Sequence, residues 1–243
     1  GYSYNYNSVG GSIINNTIAS NSYSIRFNFE SAGNVMYALS KAANIRKNSN
    51  GEYAILGIPY AQYLKGEFDF AKNIRIDYRN SFAFHAGVGI AVPYGNAKTI
   101  PFEKQANSVR GWSVRDLGPG SFAGNGNLLD QSGDIKLDAS IEYRSKLFWK
   151  FQGAVFIDAG NIWTIRSYAN QPGGVFKFDR FYKQIAVAYG LGLRLDLDFF
   201  ILRFDGGMKA VNPAYETRKE HFPIIHPKFS RDFAFHFAVG YPF

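Results

Sequence analysis

No cysteine occurs in the 243 residues, so disulfides, thiolate metal sites and thiol nucleophiles are excluded together from this stretch. A run of about eighteen apolar residues is also missing, which excludes a transmembrane helix. The first residues carry neither the basic nor the apolar region of a signal peptide. Acidic residues are the minority charge, with 19 Asp and Glu against 27 Lys and Arg and a formal charge of +8. The basic residues nevertheless alternate singly with aromatics and form no helical basic face, so nucleic acid is not an expected partner. Histidine is scarce, and His85, His221, His226 and His236 lack metal-ligand spacing. Gly118-Pro119-Gly120 lacks the Lys-Ser/Thr ending of a phosphate loop, and no serine stands in a nucleophile elbow. No cofactor, metal centre or enzymatic chemistry is expected.

What the chain does have is aromatic residues, 17% of the total, together with 25 glycines. That mixture suits strands and tight turns. Tyr23, Ile25, Phe27 and Phe29 alternate with Ser24, Arg26, Asn28 and Glu30, and the same period of two returns along most of the sequence. The densest example runs from Ile185 to Leu197, and the last, Phe233, Phe235, Phe237, Val239, Tyr241 and Phe243, ends the chain on an aromatic. Residues 31 to 59 break the pattern. There Val35, Met36, Leu39, Ala42 and Ala43 predict a short amphipathic helix, expected to pack on its own strands rather than to bind a partner.

Strand length separates a soluble sandwich from a membrane barrel. Crossing a bilayer takes about nine to eleven tilted residues, with the apolar face toward lipid and the polar face toward a wet lumen. Several alternating runs here are that long. Connections near 78 to 81, 144 to 150 and 197 to 199 are short, whereas those at 31 to 59, 95 to 133, 164 to 183 and 209 to 230 are long. That is the pattern of short periplasmic turns and long outer loops. The expected fold is all-β, a transmembrane antiparallel β-barrel with about nine strands in this stretch. An odd number cannot close antiparallel. The chain is therefore expected to be the C-terminal part of a barrel of roughly sixteen strands, with a long inward-folding loop at about 95 to 133.

The residues from Ile135 to Trp163 carry the chemistry. Ile135, Leu137, Ala139, Ile141 and Tyr143 face one way, and Glu142 falls on the other face; in the next run Asp158 takes the same side as Phe156 and Gly160. Two adjacent strands thus turn one carboxylate each toward the lumen.

Two motifs carry a resemblance. Val109-Arg110-Gly111-Trp112 and Phe156-Ile157-Asp158-Ala159-Gly160 are similar to the loop and strand motifs of the outer-membrane barrel-assembly and translocation superfamily, the BamA- and TamA-like bacterial surface antigen family. The likeness covers nearly the whole chain, and segments such as Pro93-Tyr94-Gly95-Asn96 look most like its Bacteroidetes branch. It implies that Arg110 folds into the lumen and meets Asp158, with Glu142 as the second acidic site. Charge-assisted, bidentate pairing is what a buried guanidinium requires. Phe235, Phe237, Gly240 and Phe243 resemble the terminal signal and lateral seam of such barrels. One departure is Phe102 to Asn107, which carries no glycine where many members place an aromatic and two glycines before the loop motif.

The resemblance implies insertion of other outer-membrane proteins without a cofactor. Unfolded outer-membrane proteins, outer-membrane lipid and accessory assembly subunits are the implied partners. POTRA domains, which this stretch does not contain, are expected upstream. Two other classes stay open: a polypeptide-secretion or passive solute pore, and a soluble β-sandwich binding module.

Overall fold

The computed structural model describes residues 1–8, 21–49, 51–56, 58–60, 62–95, 109–113, 116–124, 130–197 and 200–240. Alternating sequence becomes strand wherever a turn signal bounds it. The strands are β1 (Tyr2–Asn7), β2 (Ser22–Ala32), β3 (Ala54–Ile55), β4 (Ile58–Pro59), β5 (Gln62–Arg75), β6 (Asn80–Tyr94), β7 (Ile135–Lys146), β8 (Phe151–Trp163), β9 (Ala186–Asp196), β10 (Ile201–Val211) and β11 (Phe233–Val239). Nine of them form one antiparallel sheet in the order β1-β2-β5-β6-β7-β8-β9-β10-β11. The remaining pair, β3 and β4, is a small separate hairpin that the sequence pattern did not announce. Every neighbouring pair in the large sheet is consecutive in the chain apart from this hairpin, as expected of a meander.

The sheet is inverted relative to a soluble protein. Leu191 is 67% exposed and Phe235 62%, whereas Glu142, Asp158 and Asp205 on the opposite face are 0% exposed. Val155 and Ile157 are exposed between the buried Ala154, Phe156 and Asp158. In water this arrangement would strand apolar area in solvent and desolvate charge. In a bilayer the outer residues meet lipid and the charges face a lumen, so both terms change sign.

The ends of the strands follow the same logic. Residues 76–79, 147–150 and 197–200 are the short connections. Exposed Tyr78, Phe148 and Trp149 stand on two of them, and the Phe148 and Trp149 rings lie 5.3 and 5.9 Å from Phe151. Aromatics at that height suit the headgroup boundary of the membrane.

Two details depart from the sequence pattern. Lys209, expected in a connection, continues β10 to Val211 across a register shift between Lys209 and Val211. The predicted helix forms as α1 (Asn34–Ala42), but Val35, Met36 and Leu39 stay exposed and only Ser40 is buried. Its polar side chains hold it to the wall instead: Asn34 bonds Ser31, Gln62 and Tyr94, and Tyr60 donates to Ser40. The terminal Phe243 and the Phe102–Asn107 segment lie outside the described residues.

A charge on the exposed face tests the inversion. Leu191→Arg, at the midpoint of β9, is expected to lower stability by about 2–4 kcal/mol, the cost of a basic residue at the bilayer midplane. Denaturant unfolding in phospholipid vesicles measures it; an unchanged midpoint would contradict a lipid-facing Leu191.

Candidate functional site

The buried face of the sheet gathers charge around one loop residue. Arg110 precedes Gly111 in a turn in which the Trp112 N–H donates to the Val109 carbonyl, 3.3 Å. Val109 and Trp112 fasten that turn to the wall by packing with Leu117, Ala186 and Ala188. Lys209 Nζ lies 5.3 Å from the centre of the Trp112 ring. Apolar anchors on both sides thus present the Arg110 side chain to the strands.

The guanidinium then finds acceptors from three strands. Nε and Nη2 each donate to Asp158 of β8 at 2.8 Å, and the backbone N–H of Arg110 donates to the same carboxylate at 3.0 Å. Nη1 donates to Glu142 of β7 at 2.6 Å and approaches Asp205 of β10 at 3.4 Å. Ser140 accepts from Nη2 at 3.3 Å and donates to Asp158 at 2.7 Å. Beneath the plane lies Phe156, its ring centre 3.5 Å from the guanidinium carbon, a stacked cation–π contact. Two-pronged pairing with Asp158 and stacking on Phe156 are both available to arginine and not to lysine.

The acids are unequally shared. Glu142 also accepts from Arg144 at 2.5 Å and Arg194 at 2.6 Å, and Asp205 lies 2.7 Å from Arg203. Asp158 has Arg110 and Ser140. Among the described residues its compensating charge comes from the loop alone. Removing one partner of a buried pair costs about 3–5 kcal/mol. That is a large share of the roughly 5–15 kcal/mol net stability of a folded domain.

Close approach of the loop backbone depends on absent side chains. A Cβ on Gly207 of β10 would lie 2.0 Å from the Arg110 carbonyl oxygen, and one on Gly190 of β9 would lie 2.4 Å from the Phe156 ring. The same carbonyl accepts a 3.0 Å hydrogen bond from His236 Nε2 of β11, which fixes the proton on that nitrogen. Through this bond the loop also touches the last strand.

Of the residues singled out by sequence, Arg110, Glu142, Asp158 and Phe156 meet at one point, with Val109, Gly111 and Trp112 beside them. Gly160 sits further along β8, opposite Asp138 and Ala186. Phe235 and Phe237 are elsewhere, on the exposed face of β11, and Gly240 follows that strand in a left-handed conformation, φ 96°, donating its N–H to the Ile201 carbonyl at 2.7 Å. Sequence reasoning missed Asp205, Arg194, Ser140, His236 and Gly207 as members of the site. Arg203 and Asp205 stand two apart and so share one face of an alternating strand, but alternation carries no information on which strands lie across from the loop.

Comparison with known proteins decides the family. The model of the Omp85 superfamily domain matches residues 15–243. The chain belongs to the Omp85 superfamily. Among solved structures, the Omp85 chain is similar to BamA from Haemophilus ducreyi lacking POTRA domains 1–3, with 13% identity and a TM-score of 0.51. That likeness covers 91% of this chain and 51% of the BamA chain, so the present sequence spans about half of that length. A search of curated proteins finds no match. Omp85 membership places the sheet in the bacterial outer membrane as a barrel portion, in agreement with its lipid-facing apolar side.

Gly207→Ala is expected to push the Arg110 carbonyl off β10 and cost about 1–3 kcal/mol, the usual range for overpacking. Gly66→Ala supplies the matched control, since a Cβ there meets nothing within 4 Å. Limited proteolysis of the refolded protein should show faster cleavage near residues 109–124 for Gly207→Ala only; equal cleavage would mean that the loop does not rest on Gly207.

Proposed function

We propose that this Omp85 chain is the C-terminal part of an insertase barrel that assembles other outer-membrane proteins, with Arg110 anchoring the loop inside the lumen and β11 forming one side of a lateral seam. The observation that carries this is the bridge made by one loop residue to β7, β8, β10 and, through His236, β11. A seam strand has to expose its backbone N–H and C=O groups to template an incoming strand. The wall behind it has to keep its shape while it does so. Arg110 ties β7, β8 and β10 together in the wall behind β11.

β11 suits that task. It is 7 residues long against 11 for its neighbour β10, and Gly240 turns the backbone directly after it. Both features limit the ladder that would hold the edge shut. Unfolded outer-membrane proteins are the proposed substrates. POTRA domains upstream and accessory subunits are the proposed partners, and no cofactor takes part. The closeness of the fold to a BamA structure is in keeping with this assignment.

In the full-length protein, Arg110→Ala is expected to lower the steady-state level of other outer-membrane barrels while the variant itself still inserts. Arg110→Lys should restore little, because an ammonium cannot grip Asp158 with two prongs and stack on Phe156. Charge exchange, Arg110→Glu with Asp158→Arg, should recover part of the loss. The check is heat-modifiable gel mobility of substrate barrels after depletion of the wild-type protein. Unchanged substrate assembly, together with solute-selective single-channel conductance, would favour a passive or secretory pore instead.

A further inference from the structure

Helix α1 is held to the barrel by the wrong side for a helix in water. The three partners of Asn34 are Ser31 Oγ at 2.7 Å, Gln62 Nε2 at 3.2 Å and Tyr94 Oη at 2.7 Å. Each lies on the apolar, outward face of its strand. Ser31 has the parity of exposed Phe27 and Phe29 on β2, Gln62 that of Leu64 and Phe68 on β5, and Tyr94 that of Ile90 and Val92 on β6. The helix therefore caps the outer surface of the wall at the strand ends and does not enter the lumen.

Its own faces are sorted to match. Asn34, Tyr37 and Ser40 recur at spacings of three, and Ser40, bonded to Tyr60, is 3% exposed. On the opposite side Val35 is 73% and Leu39 60% exposed. Burying two such side chains is favourable, and an aqueous surrounding recovers none of that gain. Basic Lys41, Arg46 and Lys47 follow at the exposed C-terminal end. A short helix with an outward apolar face, flanking basic groups and a seat just beyond a lipid-facing band has the makeup of an interfacial membrane helix.

We propose that α1 is a membrane-interface anchor: its Val35, Met36 and Leu39 side chains enter the acyl boundary of the outer leaflet, continuing the lipid-facing band of β2, β5 and β6. The occupant is lipid. The leaflet follows from the connection lengths, since α1 stands on a long connection and long loops lie on the outer side. The apolar face that is unsatisfied in water becomes the best-solvated part of the helix, and the polar contacts to the wall set its depth.

The test uses the full-length protein with no cysteine other than the introduced one, reconstituted in vesicles of phosphatidylethanolamine and phosphatidylglycerol. Nitroxide labels on Val35→Cys, Met36→Cys and Leu39→Cys are compared with one on Lys47→Cys. Heat-modifiable gel mobility first establishes that each variant is folded, and three label positions guard against failure of any one. The expected result is an oxygen-to-nickel-chelate accessibility ratio several-fold higher at 35 and 39 than at 47. A ratio at 35 and 39 equal to that at 47 would place the face in water and overturn the proposal. Labels shielded from both reagents would also overturn it, by showing that another protein segment or a second copy covers the helix.

Discussion

A guanidinium taken out of water needs fixed acceptors, and the arrangement of the barrel wall around Arg110 is governed by that requirement. Desolvation of an ion in a low-dielectric site costs several kcal/mol even after relaxation. Here the loop offers a permanent cation, and β7, β8 and β10 each supply one carboxylate. The dependence runs both ways. Glu142 keeps Arg144 and Arg194 whatever the loop does, but Asp158 relies on Arg110 for its neutralising charge. Loop and wall are thus coupled through one acid on one strand. An ordinary surface ion pair, worth about 0–1 kcal/mol, would not couple them.

Charge alone would not deliver this geometry. The loop backbone has to come within hydrogen-bonding distance of the wall, so bulk must be absent where they touch. Gly207 leaves room for the Arg110 carbonyl, Gly190 for the Phe156 ring, and Gly111 for the Ala188 methyl group. Phe156 then gives the guanidinium a face to lie on while the carboxylates take its edge. Edge pairing and face stacking do not compete for the same atoms, which is why so many contacts fit around one side chain.

Much of this was legible in the sequence because a strand has a period of two and a bilayer inverts what the two faces mean. Alternation alone put Glu142 and Asp158 on the inner face, and family likeness brought Arg110 to them. Register was not legible. Nothing in the run Phe204-Asp205-Gly206-Gly207 says that its acid lies across from a loop nearly a hundred positions earlier, nor that its second glycine lies under the carbonyl of that loop. The orientation of α1 was hidden for a related reason. Spacing defines the two faces of the helix, but which of them meets the strands depends on Ser31, Gln62 and Tyr94 standing side by side on the outer surface. Only the sheet pairing brings those three residues together.

The last strand is attached to this system differently from the others. Strands β7, β8 and β10 hold the loop through carboxylates and the guanidinium, whereas β11 holds it through His236 and a backbone carbonyl. The His236 bond is a neutral-type hydrogen bond, whose net worth is about 0.5–1.5 kcal/mol. Freeing β8 would leave Asp158 buried without its cation, at about 3–5 kcal/mol from that term alone. The loop is therefore coupled more strongly to β8 than to β11. No carboxylate or guanidinium of the Arg110 cluster is carried on β11, so whatever pairs with the outer edge of that strand does not change the charges the cluster has to balance.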